Sequence, residues 1–190
     1  MNKKLWITLG IIAAVIVVIV APIVGMYNNL VTLQTEVEAK HSTIDVNLQR
    51  RADLIPNFVE TVKDYMDYEQ ETFLAVTEAR NAVNKAANAS EQAAASDQLD
   101  SAIRNWVSFV AEAYPELKAS EQFRALQDEL AGTENRIAVS RKDYNEAVKS
   151  YNTAIRRFPK SVIAGMFGFD PASYFEAAPG AEQVPSASVK

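Results

Sequence analysis

The chain has 190 residues, a formal net charge of −5 and no cysteine, and 48% of its residues are hydrophobic. This length suits one domain of ordinary size, and the lack of cysteine excludes disulfides, thiolate metal sites and cysteine nucleophiles. The hydrophobic residues are unevenly spread, because Leu5–Val24 is a run of twenty residues without a charge. A helix of that length spans roughly 30 Å, the thickness of a bilayer core, which argues against a free cytosolic protein.

The N-terminal segment is predicted to be an uncleaved membrane anchor over residues 5–26, preceded by a short tail at 1–4. Its apolar stretch is longer than that of a signal peptide, and no small-x-small cleavage site follows it. Lys3 and Lys4 precede the span, while Trp6 and Tyr27 are placed to sit at the two membrane interfaces. Residues 5–24 are therefore expected to contact the lipid bilayer.

The charge distribution separates the anchor from the rest of the chain. Residues 27–190 carry 17 basic and 24 acidic side chains, a net charge of −7, so nucleic acid is not an expected partner. Lys3 and Lys4 precede the anchor, and only Lys40 is basic in the twenty residues that follow it. The positive-inside rule therefore predicts a single-pass membrane protein whose soluble part lies outside the cytoplasm.

Residues 27–158 show four apolar stripes whose members recur at intervals of three, four or seven residues, which is typical of amphipathic helices. No segment alternates with a period of two. Amphipathic helices joined by short breaks bury their stripes by folding back on one another. The sequence therefore predicts an all-α protein, in which the transmembrane helix continues into an antiparallel up-down four-helix bundle.

The segment Asp53–Pro56 is predicted to end the first helix. Pro56 disfavours helical geometry at Ile55 and suits the first turn of a new helix, which Asp53 can cap. Arg50 and Arg51 belong to the same turn. These side chains are interpreted as a helix end, and the alternative is a docking patch for a partner protein.

The segment 159–176 is aromatic and contains glycines and prolines that prevent a long regular helix. It is predicted to pack on the end of the bundle. A helix over 119–158 would be longer than one over 27–53, so an alternative is that the fourth helix carries this segment to the bilayer or to a neighbouring chain. Residues 177–190 are expected to form a flexible tail. The aromatic side chains concerned are Phe167, Phe169, Tyr174 and Phe175.

His41 is the one histidine and falls within the first apolar stripe. Counting helix levels from the predicted turn indicates a buried polar layer of His41, Glu69, Thr133 and Glu134, which would fix the register of the helices. A metal-binding bundle using Glu38, His41 and Glu69 is the rival interpretation, but it needs more ligands than one chain shows. No catalytic set, metal site or cofactor is expected. A repeated Tyr-Asn pair at 144 and 151 is interpreted as local packing.

Several segments together resemble the LemA family of bacterial membrane proteins. They are YNNLV at 27–31, IDVNLQRRADLIPNFVETVKDY at 44–65, AYPELKA at 113–119, TENRIAVSRKDYNEAVKSYN at 133–152 and FPKSVIAGMFGF at 158–169. The resemblance covers the chain from the anchor to about residue 176, and the RRADLIP and FPKSVIAGMFGF segments are its specific parts. It implies a bacterial inner-membrane protein with a short tail, one span and an antiparallel helical bundle, without a defined activity or a catalytic motif.

The sequence is thus predicted to encode a non-enzymatic, membrane-anchored scaffold or adaptor of the bacterial envelope. Its partners would be other membrane or envelope proteins, an expectation that the resemblance supports by association. The binding surface would be the turn at Arg50–Pro56, the aromatic segment 158–175, or both. The alternative is a self-assembling homo-oligomer in which coiled-coil stalks and the exposed aromatic segment bring copies together.

Overall fold

The computed structural model describes residues 3–63, 70–86 and 88–175, and within these ranges the chain forms helices and no strands. Their bounds are α1 (Lys3–Lys63), α2 (Gln70–Lys85), α3 (Ala89–Ala113), α4 (Pro115–Ala119), α5 (Glu121–Arg156) and α6 (Lys160–Phe167). The prediction of an all-helical protein is confirmed for this part of the chain. Helix α1 begins at Lys3, within the predicted tail.

The predicted break at Asp53–Pro56 is wrong, because α1 continues through Pro56 to Lys63. A proline inside a helix costs about 3 kcal/mol, since it removes one N–H and crowds the preceding turn. Pro56 itself is exposed, while Ile55 and Phe58 are buried on either side of it. Burying each of these large side chains contributes about 1.5–3 kcal/mol, enough to hold the helix together across the proline.

The apolar N-terminal part of α1 is exposed. Among the described residues, α1 is the helix long and apolar enough to cross a membrane, and its most apolar eighteen-residue stretch is not buried by protein. From Trp6 to Val20, the exposed fractions of the large apolar side chains range from 47% at Val20 to 71% at Val18. An exposed apolar surface of this length is unfavourable in water and matches the hydrocarbon thickness of a bilayer.

The chain divides into two compact units, and α1 and α5 each contribute to both. The first unit comprises Met1–Ala39 and Glu146–Ala172, and the second comprises Lys40–Asn145 and Ser173–Lys190. These boundaries differ from the predicted division at residues 26 and 158.

The first unit packs the end of α5 and helix α6 along α1. Leu30 and Val37 of α1 are buried in it, together with side chains from the end of α5 and from α6. Gly168 ends α6 in the left-handed conformation, with φ of 74°, which glycine adopts without steric cost. The other buried side chains of this core are Ala147, Val148, Tyr151, Ile155, Ile163 and Ala164.

The second unit packs α1, α3 and α5 around a core of aromatic rings that are tilted against one another. The Phe58 ring lies 4.3 Å from that of Trp106 and 5.5 Å from that of Phe123, measured between centroids. Helix α2 packs against α3. Asn88 caps α3 by accepting the Glu91 amide at 2.9 Å, so the alanine-rich stretch after it is an ordered helix.

Candidate functional site

Arg51 links three helices and is buried. Its side chain is 1% exposed; Nη1 lies 2.9 Å from Asp100 Oδ1 on α3, and Nη2 lies 3.5 Å from Glu134 Oε2 on α5. The contact with Asp100 falls outside hydrogen-bond geometry, so charge carries it. The proposed docking role of Arg51 is therefore wrong, because the uninterrupted α1 turns this side chain into the core.

The ions around Arg51 compensate one another. Arg104 Nη1 lies 3.1 Å from Glu134 Oε1, and Arg141 Nη1 lies 2.9 Å from Asp97 Oδ1. Burial raises the pKa of Asp100 more strongly than the neighbouring Arg51 charge lowers it. A cavity of about 260 Å³ beside Arg51 is lined by both signs of charge, with Arg104 and Glu134 at its rim. This arrangement joins helices and offers no unpaired charge for a ligand.

Arg50 and Asp53, the other two charged residues of the predicted turn, are exposed on α1. Arg50 Nη2 donates to Glu129 Oε1 at 2.8 Å, and Asp53 Oδ1 accepts from Gln49 Nε2 at 2.7 Å. Asp53 lies inside α1 and does not cap a second helix, contrary to the prediction. Val46 is 65% exposed one turn before Arg50. Together with Leu54 and Asn57, these residues line a shallow open depression of about 580 Å³.

The structure does not bring His41 to Thr133 and Glu134. The His41 ring lies 5.6 Å from the Tyr144 ring and 6.1 Å from the Phe175 ring, and its Nδ1 lies 3.3 Å from Asp45 Oδ2. Thr133 is buried and donates to the Leu130 carbonyl at 2.8 Å. The level count began at Asp53, whereas α1 ends ten residues later, and this shift moves the α5 neighbour of His41 from Thr133 to Tyr144.

The remaining member of the predicted layer, Glu69, lies outside the described residues. Among residues 3–63, 70–86 and 88–175, no three His, Asp or Glu side chains are grouped in a way that could hold a metal ion. The rival metal site of Glu38, His41 and Glu69 therefore gains no support from the described residues. His41 instead pairs with Asp45 one helical turn along α1.

In the second unit, α5 holds the end of the described chain by its backbone. Tyr144 donates its hydroxyl to the Ser173 carbonyl at 2.9 Å. Asn145 donates Nδ2 to the Phe175 carbonyl and accepts the Phe175 amide, both at 2.9 Å. Phe175 is buried, with its ring 5.2 Å from that of Tyr144 and the Arg141 guanidinium 5.8 Å from its centroid.

The first unit repeats the same chemistry one heptad later. Tyr151 donates to the Asp170 carbonyl at 2.9 Å. Asn152 donates to the Ala172 carbonyl at 2.8 Å and accepts the Ala172 amide at 2.9 Å. Burial raises the pKa of both Tyr144 and Tyr151, so both hydroxyls keep the proton that they donate. The Tyr-Asn repeat is the sequence signal of these two clamps, and the interpretation as local packing understated it.

Aromatic side chains of the terminal segment also meet the interface tyrosine of α1. In the first unit, the Tyr27 ring lies 4.9 Å from that of Phe167 and 5.6 Å from that of Phe169, in edge-to-face geometry. Phe167 remains 55% exposed and Tyr174 41% exposed. The two interpretations of the terminal segment thus apply to different residues, since Phe175 is buried by helices while Phe167 lies exposed beside Tyr27.

The predicted interface residues at the other end of the span lie at the start of α1. Lys3 and Lys4 form its first turn, and Trp6 is 60% exposed in the second turn. Tyr27 is separated from Trp6 by the whole apolar stretch. One aromatic residue therefore stands near each end of the segment that matches a bilayer in length.

Comparisons with known proteins identify the family of this chain. Residues 40–189 match the model of the LemA family. Magnetosome protein MamQ 2 of Paramagnetospirillum magneticum is 26% identical over an alignment that covers 88% of this chain and 71% of that protein. Protein LemA of Metamycoplasma hominis is 27% identical, with coverage of 81% and 70%. Since the family model matches more than half of the residues, this chain belongs to the LemA family.

Proposed function

We propose that the protein is a membrane-anchored adaptor of the bacterial envelope that acts by binding another protein. One observation carries the proposal: α1, the helix apolar enough to cross a membrane, also leaves a stripe of side chains uncovered in the second unit. We define the α1 stripe as Val46, Arg50, Asp53 and Asn57. A single helix would then both anchor the protein and present its binding surface.

The α1 stripe has the spacing of a helix-docking surface. Its members follow one another at intervals of four, three and four residues, so they lie along one side of α1. The opposite side of α1 is buried, with Ile44 at 0% and Leu48 at 2% exposure. Val46 supplies apolar area, while Arg50 and Asp53 carry opposite charges that can fix the register of a partner. The partner class that fits is an amphipathic helix with a small apolar seam.

The other helices of the second unit hold the α1 stripe in a fixed position. The contacts of Arg51 with α3 and α5, and the packing of α2 on α3, support an antiparallel bundle in the second unit. In this proposal the protein is not an enzyme and uses no cofactor. Its soluble part lies outside the cytoplasm, and its partners are other envelope proteins, with a second copy of the chain as the alternative occupant.

Photo-crosslinking in intact cells tests the stripe. A photoreactive residue placed at Val46 of the full-length, membrane-inserted protein should give a discrete adduct with one polypeptide. Val139 is the matched control, because it is a valine of α5 in the same unit and is 52% exposed. An adduct with the mass of two copies would assign the stripe to self-assembly. No adduct at Val46, or the same pattern at Val139, would overturn the adaptor proposal.

A further inference from the structure

Helix α6 lies beside the first turns of α1 that follow the apolar segment. Its first residue, Lys160, donates Nζ to Asn29 Oδ1 at 2.6 Å, and its last, Phe167, packs on Tyr27 with centroids 4.9 Å apart. Tyr27 and Asn29 follow Val24 by three and five residues, which is about 4.5–7.5 Å along a helix. For an anchor that ends at Val24, this is the depth of the lipid headgroup layer, about 5–7 Å on each side of the core.

The outer surface of α6 and of the turn before it is apolar and uncovered. Met166 is 72% exposed, Val162 52% and Phe167 55%, while Phe158 in the preceding turn is 84% exposed. The inner side of α6 is buried through Ile163 and Ala164. Four large apolar side chains left exposed at one end of a unit form a surface that water disfavours. The surface is continuous, through Phe167 and Tyr27, with the apolar segment of α1.

The charge of the same region is the reverse of the charge of the chain. Residues 147–169 contain four basic side chains and no acidic one, whereas the remaining residues carry a net charge of −9. Arg156 and Arg157 are exposed immediately before Phe158. Basic residues that flank an exposed apolar face are typical of helices that lie in the interface of an anionic membrane.

A cleft at the start of α6 supplies groups that suit a phosphodiester. It has a volume of about 270 Å³, and its lining includes the cations Arg157 and Lys160 and the hydroxyl residue Thr153. Ser150 also lines the cleft, but its hydroxyl donates to the Glu146 carbonyl at 2.9 Å. Guanidinium, ammonium and hydroxyl groups are the usual donors to phosphate oxygens. Phe158 forms part of the same wall, so a charged headgroup and an acyl chain would find matching surfaces side by side.

We propose that α6 and the Phe158 turn form an interfacial foot that inserts into the headgroup layer, and that the Arg157–Lys160 cleft binds the phosphate of an anionic phospholipid. The foot comprises Phe158, Val162, Met166 and Phe167 with these two cations. The proposal rests on the membrane anchor in the proposed function, and it is independent of the α1 stripe. The foot would hold the first unit against the bilayer surface, leaving α1 little freedom to tilt.

Nitroxide accessibility in bilayers tests the foot. The chain contains no cysteine, so single substitutions can be labelled without background. The full chain carrying Met166→Cys is placed in bilayers of phosphatidylcholine with phosphatidylglycerol, and collisions with oxygen and with a water-soluble nickel complex are measured. Oxygen collisions should dominate at Met166→Cys, as they should at Val15→Cys within the span. Nickel collisions should dominate at Val139→Cys in the second unit.

A second set of measurements tests the Arg157–Lys160 cleft as a binding site for the lipid phosphate. Arg157→Gln added to Met166→Cys should lower the ratio of immersed to water-exposed label about fivefold, the value expected for one cation at an anionic surface. Lys118→Gln is the control, because Lys118 is an exposed cation of α4 in the second unit. Bilayers of phosphatidylcholine alone should reduce immersion in the same way, and added inorganic phosphate should not restore it.

Several results would overturn the foot. Nickel access at Met166→Cys equal to that at Val139→Cys, with Val15→Cys still immersed, would refute the foot and leave the anchor standing. A water-exposed Val15→Cys would refute the anchor itself. The lipid phosphate site would be refuted if immersion of the label at Met166→Cys did not change with Arg157→Gln and with lipid charge. It would also be refuted if inorganic phosphate restored the immersion. Dipolar broadening between labels on two chains would show that a second copy covers the face.

Discussion

Asn145 binds the backbone of Phe175 with both ends of its side-chain amide. Nδ2 donates to the Phe175 carbonyl oxygen and Oδ1 accepts the Phe175 N–H, each at 2.9 Å. An amide paired in this way makes the same two hydrogen bonds as a residue of a neighbouring β-strand. It therefore binds the backbone of Phe175 and does not depend on the Phe175 side chain. The clamp therefore holds an extended segment at a fixed register against α5, and the Phe175 ring is buried as a result.

Asn145→Ala should release the extended segment at Phe175. Two hydrogen bonds are lost, each with a net value of about 1 kcal/mol, so opening of the clamp should become roughly thirtyfold more frequent. Hydrogen exchange at the Phe175 amide, followed by mass spectrometry, measures the change. Asn135→Ala is the control, because Asn135 is an exposed asparagine of the same helix. Unchanged exchange at Phe175 in Asn145→Ala would mean that burial of its ring alone holds the segment.

Removing Asp100 should destabilise the second unit. Arg51 would remain buried with only Glu134, 3.5 Å away and 44% exposed, to compensate its charge. Loss of one member of a buried ion pair costs about 3–5 kcal/mol, and the contact with Glu134 favours the lower figure. Denaturant unfolding of the full chain in mild detergent measures the loss for Asp100→Ala.

The comparison variant is Asp97→Ala. Asp97 also pairs with an arginine at 2.9 Å, but Arg141 is 21% and Asp97 27% exposed, so solvent screens the pair. Its removal should cost no more than about 1 kcal/mol. Equal losses in the two variants would show that Arg51 finds solvent or another partner once Asp100 is gone, against the geometry described above.

Pro56→Ala should stabilise α1. Alanine restores the N–H that proline lacks and removes its clash with the preceding turn, a difference of up to about 3 kcal/mol inside a helix. Pro56 is exposed, so the change disturbs no packing. The midpoint of thermal unfolding in detergent should rise. Pro115→Ala should not raise it, because Pro115 occupies the first turn of α4, where proline is favourable. A lower midpoint for Pro56→Ala would indicate that the fold needs a local bend there.

The lysines next to the span predict on which side of the membrane the soluble part lies. Lys3 and Lys4 precede it and Lys40 follows it, so the N-terminus should stay in the cytoplasm. The basic residues of α5 and α6 are too distant in sequence to count, since long domains translocate largely regardless of charge. Alkaline phosphatase fused after Lys190 should be active, and a green fluorescent protein fused there should be dark. The opposite pair of results would place the soluble part in the cytoplasm.

The helices were predictable because their apolar stripes are long and regular. Leu99, Ile103 and Val110 of α3, which recur at intervals of four and seven residues, are all buried, and Pro115 follows directly after α3 and its C-cap. The spacing of such residues depends only on the helical period, so a single sequence reveals it. The Leu5–Val24 stretch was readable for the same reason, since its length and composition alone make it distinctive.

The register between helices does not follow from the sequence, because the helix end that Pro56 predicts is absent. The local preference of Pro56 for a helix start was outweighed by burial of Ile55 and Phe58, which depends on helices far away in sequence. A helix end placed at Asp53 instead of Lys63 shifts every helix level counted from it by about ten residues, so the sequence predicts Thr133, and not Tyr144, beside His41. The Tyr-Asn repeat marks the clamps of Asn145 and Asn152 in the sequence. Their partners are backbone groups, which leave no pattern in side-chain identity, so the sequence does not reveal what the repeat binds.

The adaptor proposal is tested most directly by recovery of the partner after in-cell crosslinking, comparing Val46→Lys with Val139→Lys. Both replace an exposed valine on a helix of the second unit with a charged residue, so neither should unfold the protein. The partner is first identified with the photoreactive residue at position 46. The proposal predicts that this polypeptide is lost from the chemically crosslinked complexes of Val46→Lys and is recovered in full from those of Val139→Lys. Full recovery of that polypeptide with Val46→Lys, from a folded and membrane-inserted chain, would contradict it.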